Sequence, residues 1–365
     1  MSAEDVADGQ IDCGDTGIGS TAVLLQSEWW CRVKCESGWT AASEDPLVLQ
    51  RQIGPFSLAY APHAFGVEEP RETAYRPELR HVVNTLVDIG KKAGATLVRW
   101  DVPWELDGFS SDEAHELGLL PSPMRVQPPD TVILPLRTET ETSSAGEEAL
   151  LAQMKPKTRY NIRLAGRKGV AVSSVTGGEL LSALPAWYEM YRETARRDGI
   201  TIHPPSYYNR VVQTAVEMGA AGTAAPTLTL YTARHDNDLL AGIITASWNG
   251  VTTYLYGAST NLKRNLMASY ALQWEAMKDA VTAGDHSYDM FGIPPTDDPA
   301  HPMHGLYRFK TGFGGRIVHR AGAWDLPVRP IGTRAYHAVE RLRKWYFFTL
   351  RKELGSFRIR RGDRS

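Results

Sequence analysis

Runs of apolar and β-branched residues in the second half of the chain predict a β-meander followed by a helix. Three segments rich in Thr, Tyr, Ile and Val are predicted strands, at residues 228–233, 239–248 and 251–258. Asn249-Gly250 favours a two-residue hairpin between the last two, because both residues tolerate positive φ. Apolar residues spaced by three and four from Met267 to Val281 then predict a helix that ends at Gly284.

Other segments repeat this pattern. The predicted elements there are strands at residues 47–53, 56–61, 96–100, 131–136 and 287–293, and helices at residues 77–93, 185–197 and 206–218. Ala93-Gly94 and Ala283-Gly284 each lead into a strand, an Asp and a Pro, which indicates a duplicated α/β unit. The Pro- and Ser/Thr-rich residues 121–146 are expected to contain the linker between the units.

Length and composition indicate a globular protein of two domains. The chain has 365 residues, of which 42% are hydrophobic and 22% charged. It has no apolar run near the ~20 residues that a membrane-spanning helix needs. The acidic N-terminus does not resemble a secretory signal, so we expect a cytoplasmic protein.

Positive charge is concentrated at the C-terminal end. Residues 329–365 contain eleven basic and three acidic residues, whereas the first 328 residues carry a net charge of −10. Aromatic residues at 345–348 lie among these basic residues, a mixture suited to anionic lipid headgroups or RNA phosphates. The alternative is a C-terminal helix that packs its aromatic side chains on the body of the protein.

Neither cysteines nor histidines predict a metal site. The three cysteines, Cys13, Cys31 and Cys35, are an odd number and are interpreted as reduced thiols. His301 and His304 lie in a Pro-rich segment and are interpreted as loop residues. We therefore expect no metal and no cofactor.

Two segments are candidates for chemistry. Residues 155–169 contain six basic residues, and on a helix Arg159, Arg163 and Arg167 share one face, which is either a phosphate site or a solvated surface. In residues 304–316, glycines follow Lys310, which Phe309 and Phe313 flank. A lysine shielded from water stabilises developing negative charge, although a Gly-rich bulge with an exposed lysine is the alternative.

Seven motifs in order resemble the Fem family of peptidoglycan-bridge aminoacyltransferases. They are residues 157–163 (KTRYNIR), 195–200 (ARRDGI), 207–208 (YY), 254–259 (YLYGAS), Arg264 followed by 270–277 (YALQWEAM), 288–293 (YDMFGI) and 308–315 (RFKTGFGG). The resemblance covers most of residues 20–325, and residues 25–34 (LQSEWWCRVK) are similar to the opening of the family.

The resemblance implies an α+β fold of two tandem GNAT-like (acetyltransferase-type) domains, at residues 1–150 and 151–324. Residues 325–365 are then a basic, aromatic segment, expected to be helical and to pack back on the first domain. Some family members carry a coiled-coil arm, but no region here sustains three heptads, so the chain resembles the arm-less branch.

The resemblance also implies the roles of single residues. Lys310 would stabilise charge at the reacting ester, and Asp101 would lie beside the acceptor amine. Further substrate-binding residues would be Lys34 at the diphosphate of the cell-wall precursor, together with Tyr207, Tyr256, Arg264 and Phe309. Arg159 and Arg163 would bind tRNA or phosphate.

The expected function is transfer of an amino acid, with glycine as the expected cargo, from aminoacyl-tRNA to the side-chain amine of a peptidoglycan precursor. The precursor is either lipid II or UDP-MurNAc-peptide, and peripheral contact with anionic membrane is expected. One alternative is an acyl-CoA-dependent N-acyltransferase, which Met267 disfavours because a glycine is expected there in a CoA-binding loop. The other alternative is a non-enzymatic RNA- or envelope-binding protein.

Overall fold

The computed structural model describes residues 23–66, 78–136 and 147–346. Its strands are β1 (Thr40–Glu44), β2 (Leu47–Ile53), β3 (Phe56–Pro62), β4 (Leu97–Glu105), β5 (Leu120–Pro121), β6 (Asp130–Pro135), β7 (Ala171–Thr176), β8 (Thr227–His235), β9 (Asp238–Trp248), β10 (Val251–Ser259), β11 (Ser287–Asp289) and β12 (Arg316–Pro327). Its α-helices are α1 (Glu28–Cys35), α2 (Leu79–Lys92), α3 (Ser111–Glu116), α4 (Glu147–Gln153), α5 (Pro156–Arg167), α6 (Gly177–Asp198), α7 (Pro205–Ala220), α8 (Ala268–Thr282), α9 (His304–Lys310) and α10 (Pro330–Trp345).

One strand joins all the others into a continuous sheet. The strand order is β1-β2-β3-β4-β12-β6-β11-β10-β9-β8-β7, and β5 pairs with β12 beside this path. The first residues of β12 pair antiparallel with β6, and its later residues pair antiparallel with β4. Between the two pairings the register shifts near Gly322, whose φ is 76°. The sequence pattern does not predict β12, because charged residues and Gly322 interrupt its apolar positions.

The two halves of the sheet repeat one arrangement. β2 and β3 form an antiparallel pair, and α2 then crosses to β4, which is parallel to β3. Likewise β9 and β10 are antiparallel, and α8 crosses to β11, which is parallel to β10. At the end of each crossover helix a glycine has positive φ, Gly94 at 65° and Gly284 at 87°. The repeated Ala-Gly joints of the sequence therefore lie at equivalent places in the fold.

Most predicted strands and helices are confirmed, and three boundaries are wrong. Strand β4 continues to Glu105, beyond the end predicted at Trp100. The hairpin turn at Asn249-Gly250 is confirmed, with φ of 49° and 81°. Helix α6 begins at Gly177 and contains Pro185, so the predicted start at Pro185 is wrong. The helix extends further because Leu180 and Leu184 pack into the core. The strand predicted for residues 287–293 ends at Asp289, because Phe291 leaves the extended region at a φ of 55°.

The helix pair α6 and α7 packs on α1, which comes from the beginning of the described chain. The Trp29 indole donates a hydrogen bond to the carbonyl of Val211 at 3.1 Å, and one buried cluster contains Trp29, Tyr60, Trp187 and Tyr208. This cluster therefore draws on both halves of the chain. The division at residues 150 and 324 stays a prediction.

Helix α10 packs against the first half of the sheet. Tyr336 is buried beside Leu58 and Leu97, and the Thr333 hydroxyl donates to the carbonyl of Thr96 at 3.1 Å. Residues 347–365 of the basic segment lie outside the described residues.

A buried group of charges joins β4, β12 and α10. The Arg99 guanidinium binds both oxygens of Asp325 at 2.8 Å and both oxygens of Glu340 at 2.9 and 2.7 Å. His337 Nε2 lies 2.6 Å from Asp325 Oδ2, one of the two oxygens that Arg99 contacts. Burial alone would raise the pKa of Asp325, but Arg99 and His337 outweigh burial and lower it.

We predict that Asp325→Asn lowers the free energy of unfolding by about 3–5 kcal/mol, because it leaves the Arg99 guanidinium buried with one carboxylate removed. Urea denaturation measures this loss. The control is Asp88→Asn, which breaks an exposed pair with Lys91 and should cost less than about 1 kcal/mol. Equal losses in the two variants would contradict the role given to this group.

Candidate functional site

Asp101 lies on β4, and its carboxylate is buried. The Tyr60 hydroxyl donates to Asp101 Oδ2 at 2.5 Å, and the backbone N–H of Gln127 donates to the same oxygen at 3.2 Å. Within the described ranges, Oδ1 is buried with no hydrogen-bond partner. Burial raises the pKa of Asp101 to about 6, against the two hydrogen bonds, which lower it. The carboxyl group can therefore gain or lose a proton near neutral pH.

Lys310 is the last residue of α9, and its side chain is 6% exposed. Its ammonium group donates to three successive carbonyls, those of Met290 at 2.6 Å, Phe291 at 3.2 Å and Gly292 at 3.0 Å. An ammonium has three hydrogens, so these carbonyls engage all of them. Burial lowers the pKa of Lys310 to about 7. The alternative of an exposed lysine on a glycine-rich bulge is wrong.

An aromatic ring completes the surroundings of this ammonium. Lys310 Nζ lies 4.9 Å from the centroid of the Tyr254 ring, a cation–π distance. The Tyr254 hydroxyl occupies the space that a Cβ atom on Gly257 would need. Gly257 thus lets the tyrosine adopt this position.

Asp289 holds the turn that supplies the three carbonyls. Asp289 Oδ1 accepts a hydrogen bond from the backbone N–H of Phe291 at 2.7 Å and one from the Thr131 hydroxyl. Phe291 has a φ of 55°, which is unfavourable for a bulky side chain. The Asp289 carboxylate stabilises this conformation, and its charge also raises the pKa of Lys310.

Residues 127–132 connect Asp101 with the Lys310 turn. At one end of this segment the backbone of Gln127 binds Asp101. Further along, Pro128 contacts Gly292, where an added Cβ would lie 2.8 Å from the proline ring. At the other end the carbonyl of Val132 accepts from the backbone of Met290 at 2.9 Å. One continuous backbone segment, residues 127–132, therefore contacts both Asp101 and the turn that binds Lys310.

One cavity is lined by neighbours of both candidate catalytic residues. From the first half of the chain His63, Gly66 and Pro103 line it, and from the second half Trp248, Asp289 and Phe291. The backbone N–H of His63 donates to the Asp101 carbonyl at 3.1 Å, and the Phe291 carbonyl binds Lys310. The Asp101 backbone and the Lys310 ammonium thus each contact a residue that lines the cavity.

Lys34 lies on α1 beside aromatic side chains of both halves. Its ammonium is 4.4 Å from the Trp30 ring centroid and 5.6 Å from that of Tyr207. Burial lowers the pKa of Lys34 to about 8, and the charge of Arg51 adds to this effect. Within the part of the chain that the structure describes, Lys34 forms no ion pair. A half-buried cation of this kind suits an anionic ligand.

Tyr207 and Tyr256 belong to a cluster of aromatic rings next to Lys34. The His203 ring stacks on Tyr207 with centroids 4.0 Å apart, and the Tyr208 and Tyr256 rings are 5.1 Å apart. A hydrogen bond links the Tyr207 and Tyr256 side chains. Burial, as the main cause, raises the pKa of both tyrosines, so both remain neutral donors at physiological pH.

The remaining candidate residues lie apart from this cavity. Arg159 donates to the carbonyls of Leu151 and Met154, at 3.3 and 2.5 Å, at the end of α4. Arg163 is exposed on α5, and Arg264 is exposed in a short 3-10 helix. Phe309 packs on Tyr270 and Phe313 in the core.

Met267 precedes α8 and has a φ of 59°. This left-handed conformation is the one that a glycine would favour. The backbone at this position thus has a glycine-like geometry, but it carries a bulky side chain.

Tyr60, Gln127 and Asp289 are not predicted as site residues by the sequence patterns. Tyr60 lies in a predicted strand, and Gln127 lies in a Pro-rich segment without periodicity. Asp289 belongs to one of the seven motifs. Its position two residues before Phe291 is the only local signal for the turn that it stabilises.

Side chains that commonly bind metals do not form a cluster in the described part of the chain. In residues 23–66, 78–136 and 147–346 no group of three His, Cys, Asp or Glu side chains has the geometry to hold a metal ion. His304 Nε2 instead lies 2.6 Å from Asp297 Oδ1.

Comparisons with known proteins agree on one family. A family model described as the FemAB family matches residues 130–217 and 227–341. The lipid II:glycine glycyltransferase of Staphylococcus haemolyticus (strain JCSC1435) is 22% identical over 383 residues, which cover 83% of this chain and 87% of that protein. The UDP-N-acetylmuramoylpentapeptide-lysine N(6)-alanyltransferase of Weissella viridescens is 30% identical over 156 residues, which cover 42% of this chain and 41% of that protein.

A solved structure has the same fold. The crystal structure of FemX matches with a TM-score of 0.67 at 19% identity, covering 87% of this chain and 94% of that chain. This likeness confirms the predicted α+β fold class.

We predict that Asp289→Asn lowers the pKa of Lys310 further below about 7, because it removes the carboxylate charge that raises this pKa. NMR titration of the lysine side-chain amines measures the shift. Asp298→Asn, in the exposed loop before α9, is the matched control and should leave the Lys310 pKa unchanged. An unchanged pKa in Asp289→Asn would contradict the electrostatic role of Asp289.

Proposed function

Because the family model matches more than half of its residues, the chain belongs to the FemAB family, and we propose that it is an aminoacyltransferase of peptidoglycan cross-bridge synthesis. Family membership confirms the resemblance drawn from the sequence. One observation carries the proposal: residues that line one cavity contact both Asp101 and Lys310, two buried groups whose pKa values lie near neutrality.

The donor in this proposal is aminoacyl-tRNA and the acceptor is the side-chain amine of lipid II or UDP-MurNAc-peptide. The amine nitrogen attacks the ester carbonyl, a C–N bond forms, and the C–O bond to the tRNA breaks. An ester is already activated, so positioning, proton removal and charge stabilisation suffice. Asp101 accepts the amine proton and passes it to the departing tRNA oxygen, which leaves as a hydroxyl.

Lys310 stabilises the negative charge on the carbonyl oxygen in this proposal. Since its three hydrogens are engaged, the ammonium must exchange one backbone carbonyl for the substrate oxygen. The Phe291 carbonyl accepts the longest of the three bonds, at 3.2 Å, and Phe291 borders the cavity. This carbonyl is therefore the one that we expect to be replaced.

Lys34 binds the diphosphate of the precursor in this proposal. Its half-buried ammonium lies beside Trp30 and Tyr207, which exclude water and so strengthen its attraction for an anion. The exposed Arg163 on α5 is the candidate tRNA contact, because Arg159 is engaged by backbone carbonyls of α4 and the residue after it.

A reconstituted reaction tests the proposed function. The purified chain is incubated with a mixture of charged tRNAs and, in separate reactions, lipid II or UDP-MurNAc-pentapeptide, and product mass is measured. We expect one added amino acid residue or more. Product that requires acyl-CoA and survives RNase treatment would favour the acyl-CoA-dependent alternative and contradict the proposal.

We predict a bell-shaped pH dependence of the transfer rate. The rate should rise as pH increases through about 6, where Asp101 loses its proton, and fall above about 7, where Lys310 loses its proton. Asp101→Asn should remove the acidic limb. Lys310→Ala should lower the rate by about 10²–10³ and remove the basic limb. Full activity of Lys310→Ala would contradict its role.

We also propose that α10 contacts anionic membrane. Its solvent-facing side carries Ile331, Val339, Leu342 and Trp345, which are 50–85% exposed, beside the basic residues Arg334, Arg341 and Lys344. Such a helix face suits the boundary between acyl chains and anionic headgroups. None of the helices in the described ranges has the length and apolar character needed to cross a membrane.

We predict that Leu342→Ser combined with Trp345→Ser weakens binding to phosphatidylglycerol vesicles by about tenfold, because it removes apolar area that the membrane would bury. Vesicle sedimentation measures binding, with phosphatidylcholine vesicles for comparison. Leu262→Ser changes another exposed leucine, outside α10, and is the control. Point variants are preferable to truncation after Gly332, which would also remove the buried Tyr336 and His337. Unchanged binding would contradict the proposal.

A further inference from the structure

Two cysteines, Cys31 and Cys35, share one face of α1, and Lys34 lies between them in the sequence. The Sγ atoms of Cys31 and Cys35 are 3.9 Å apart. Cys31 is buried and Cys35 is half-buried. Neither cysteine lines the cavity whose wall contacts Asp101 and Lys310, and the proposed transfer reaction does not use this pair.

Cys35 has the properties of a reactive thiol. Its hydrogen bond with Cys31 is the main cause that lowers the pKa of Cys35 to about 7, and a backbone hydrogen bond at Ala41 adds to this effect. Burial and the charges of Glu36 and Glu44 act in the opposite direction. A substantial fraction is therefore thiolate at neutral pH, and the thiolate is the nucleophile in disulfide exchange.

A disulfide between these residues does not fit an intact helix. Residues four apart on a helix have Cβ atoms about 5–6 Å apart. A disulfide requires a Cβ separation of about 3.5–4.5 Å. Closing the bond must therefore distort the last turn of α1, which carries Lys34 and leads into Glu36. A disulfide that strains the helix in this way is readily reduced.

The end of α1, which the disulfide would distort, also contacts the second half of the chain. The Glu36 carboxylate pairs with Arg210 on α7 at 3.1 Å, and the Arg210 guanidinium also donates to the Glu36 carbonyl. Lys34 itself faces Tyr207, at the start of the same helix. Movement of the last turn of α1 would thus change the position of Lys34 relative to Tyr207.

We propose that Cys31 and Cys35 form a reversible disulfide with a low-molecular-weight disulfide as oxidant, and that its closure displaces Lys34 and weakens precursor binding. The Cys35 thiolate attacks the oxidant, which forms a mixed disulfide and releases one thiolate. The Cys31 sulfur, after losing its proton, then attacks Cys35 Sγ and releases the second thiol. Two cysteine thiols are oxidised, and one disulfide is reduced to two thiols.

The first experiment follows the chemistry alone. The full chain is incubated with oxidised glutathione and its peptides are mapped by mass spectrometry. We expect a Cys31–Cys35 bridge that dithiothreitol reverses. Cys31→Ala should keep glutathione on Cys35, Cys35→Ser should form neither product, and Cys13→Ser is the matched control that should behave as the unsubstituted chain. Absence of both the bridge and the mixed disulfide would overturn the proposal.

The second experiment measures the consequence for binding, which rests on the role proposed for Lys34. UDP-MurNAc-pentapeptide is titrated into the reduced, oxidised and re-reduced chain. We expect about tenfold weaker binding after oxidation and full recovery after reduction, with no change for Cys35→Ser. A bridged protein that binds as the reduced one does would overturn the coupling. Failure of the reduced chain to bind would instead count against the proposed function, while the peptide map still tests the bridge.

Discussion

Strand β12 is the constraint on which the arrangement of this protein depends. It pairs with β6 at one end and with β4 at the other, so among the described strands the two halves of the sheet meet through β12, which belongs to both. The buried Asp325 fixes its later part to Arg99 on β4 and to His337 on α10. Its earlier part holds the 127–132 segment, since the backbone of Arg320 donates to the carbonyl of Pro129 at 3.0 Å. The relative position of Asp101 and the Lys310 turn follows from these contacts.

Removal from water acts on the two candidate catalytic residues in opposite directions. Burial penalises the charged form of each group, so it raises the pKa of the Asp101 carboxyl and lowers that of the Lys310 ammonium. The two pKa values, ordinarily far apart, approach each other near neutrality. A single physical cause thereby gives one group able to accept a proton and another able to stabilise charge under the same conditions.

Local sequence patterns predicted much of the fold and less of the site. The meander, its Asn249-Gly250 turn and the crossover helices follow from periodicity and turn chemistry within short windows. Strand β12 was missed because its role depends on partners more than 180 residues away in sequence, β4 and β6. Lys310 was a candidate from its flanking phenylalanines and glycines, whereas the role of Asp101 came from the family resemblance alone. The turn at Asp289 has a single local signal, and the contact of Gln127 with Asp101 depends on tertiary packing, which no local pattern encodes.

The late position of β12 in the chain has a consequence for biosynthesis. Strand β4 is complete at Glu105, but its partner begins at Arg316, more than 200 residues later. At translation rates of about 5–20 residues per second, the edge of β4 waits roughly 10–40 s on the ribosome. The nascent first half thus exposes an unpaired edge for most of synthesis, a state in which chaperone binding would protect it from aggregation.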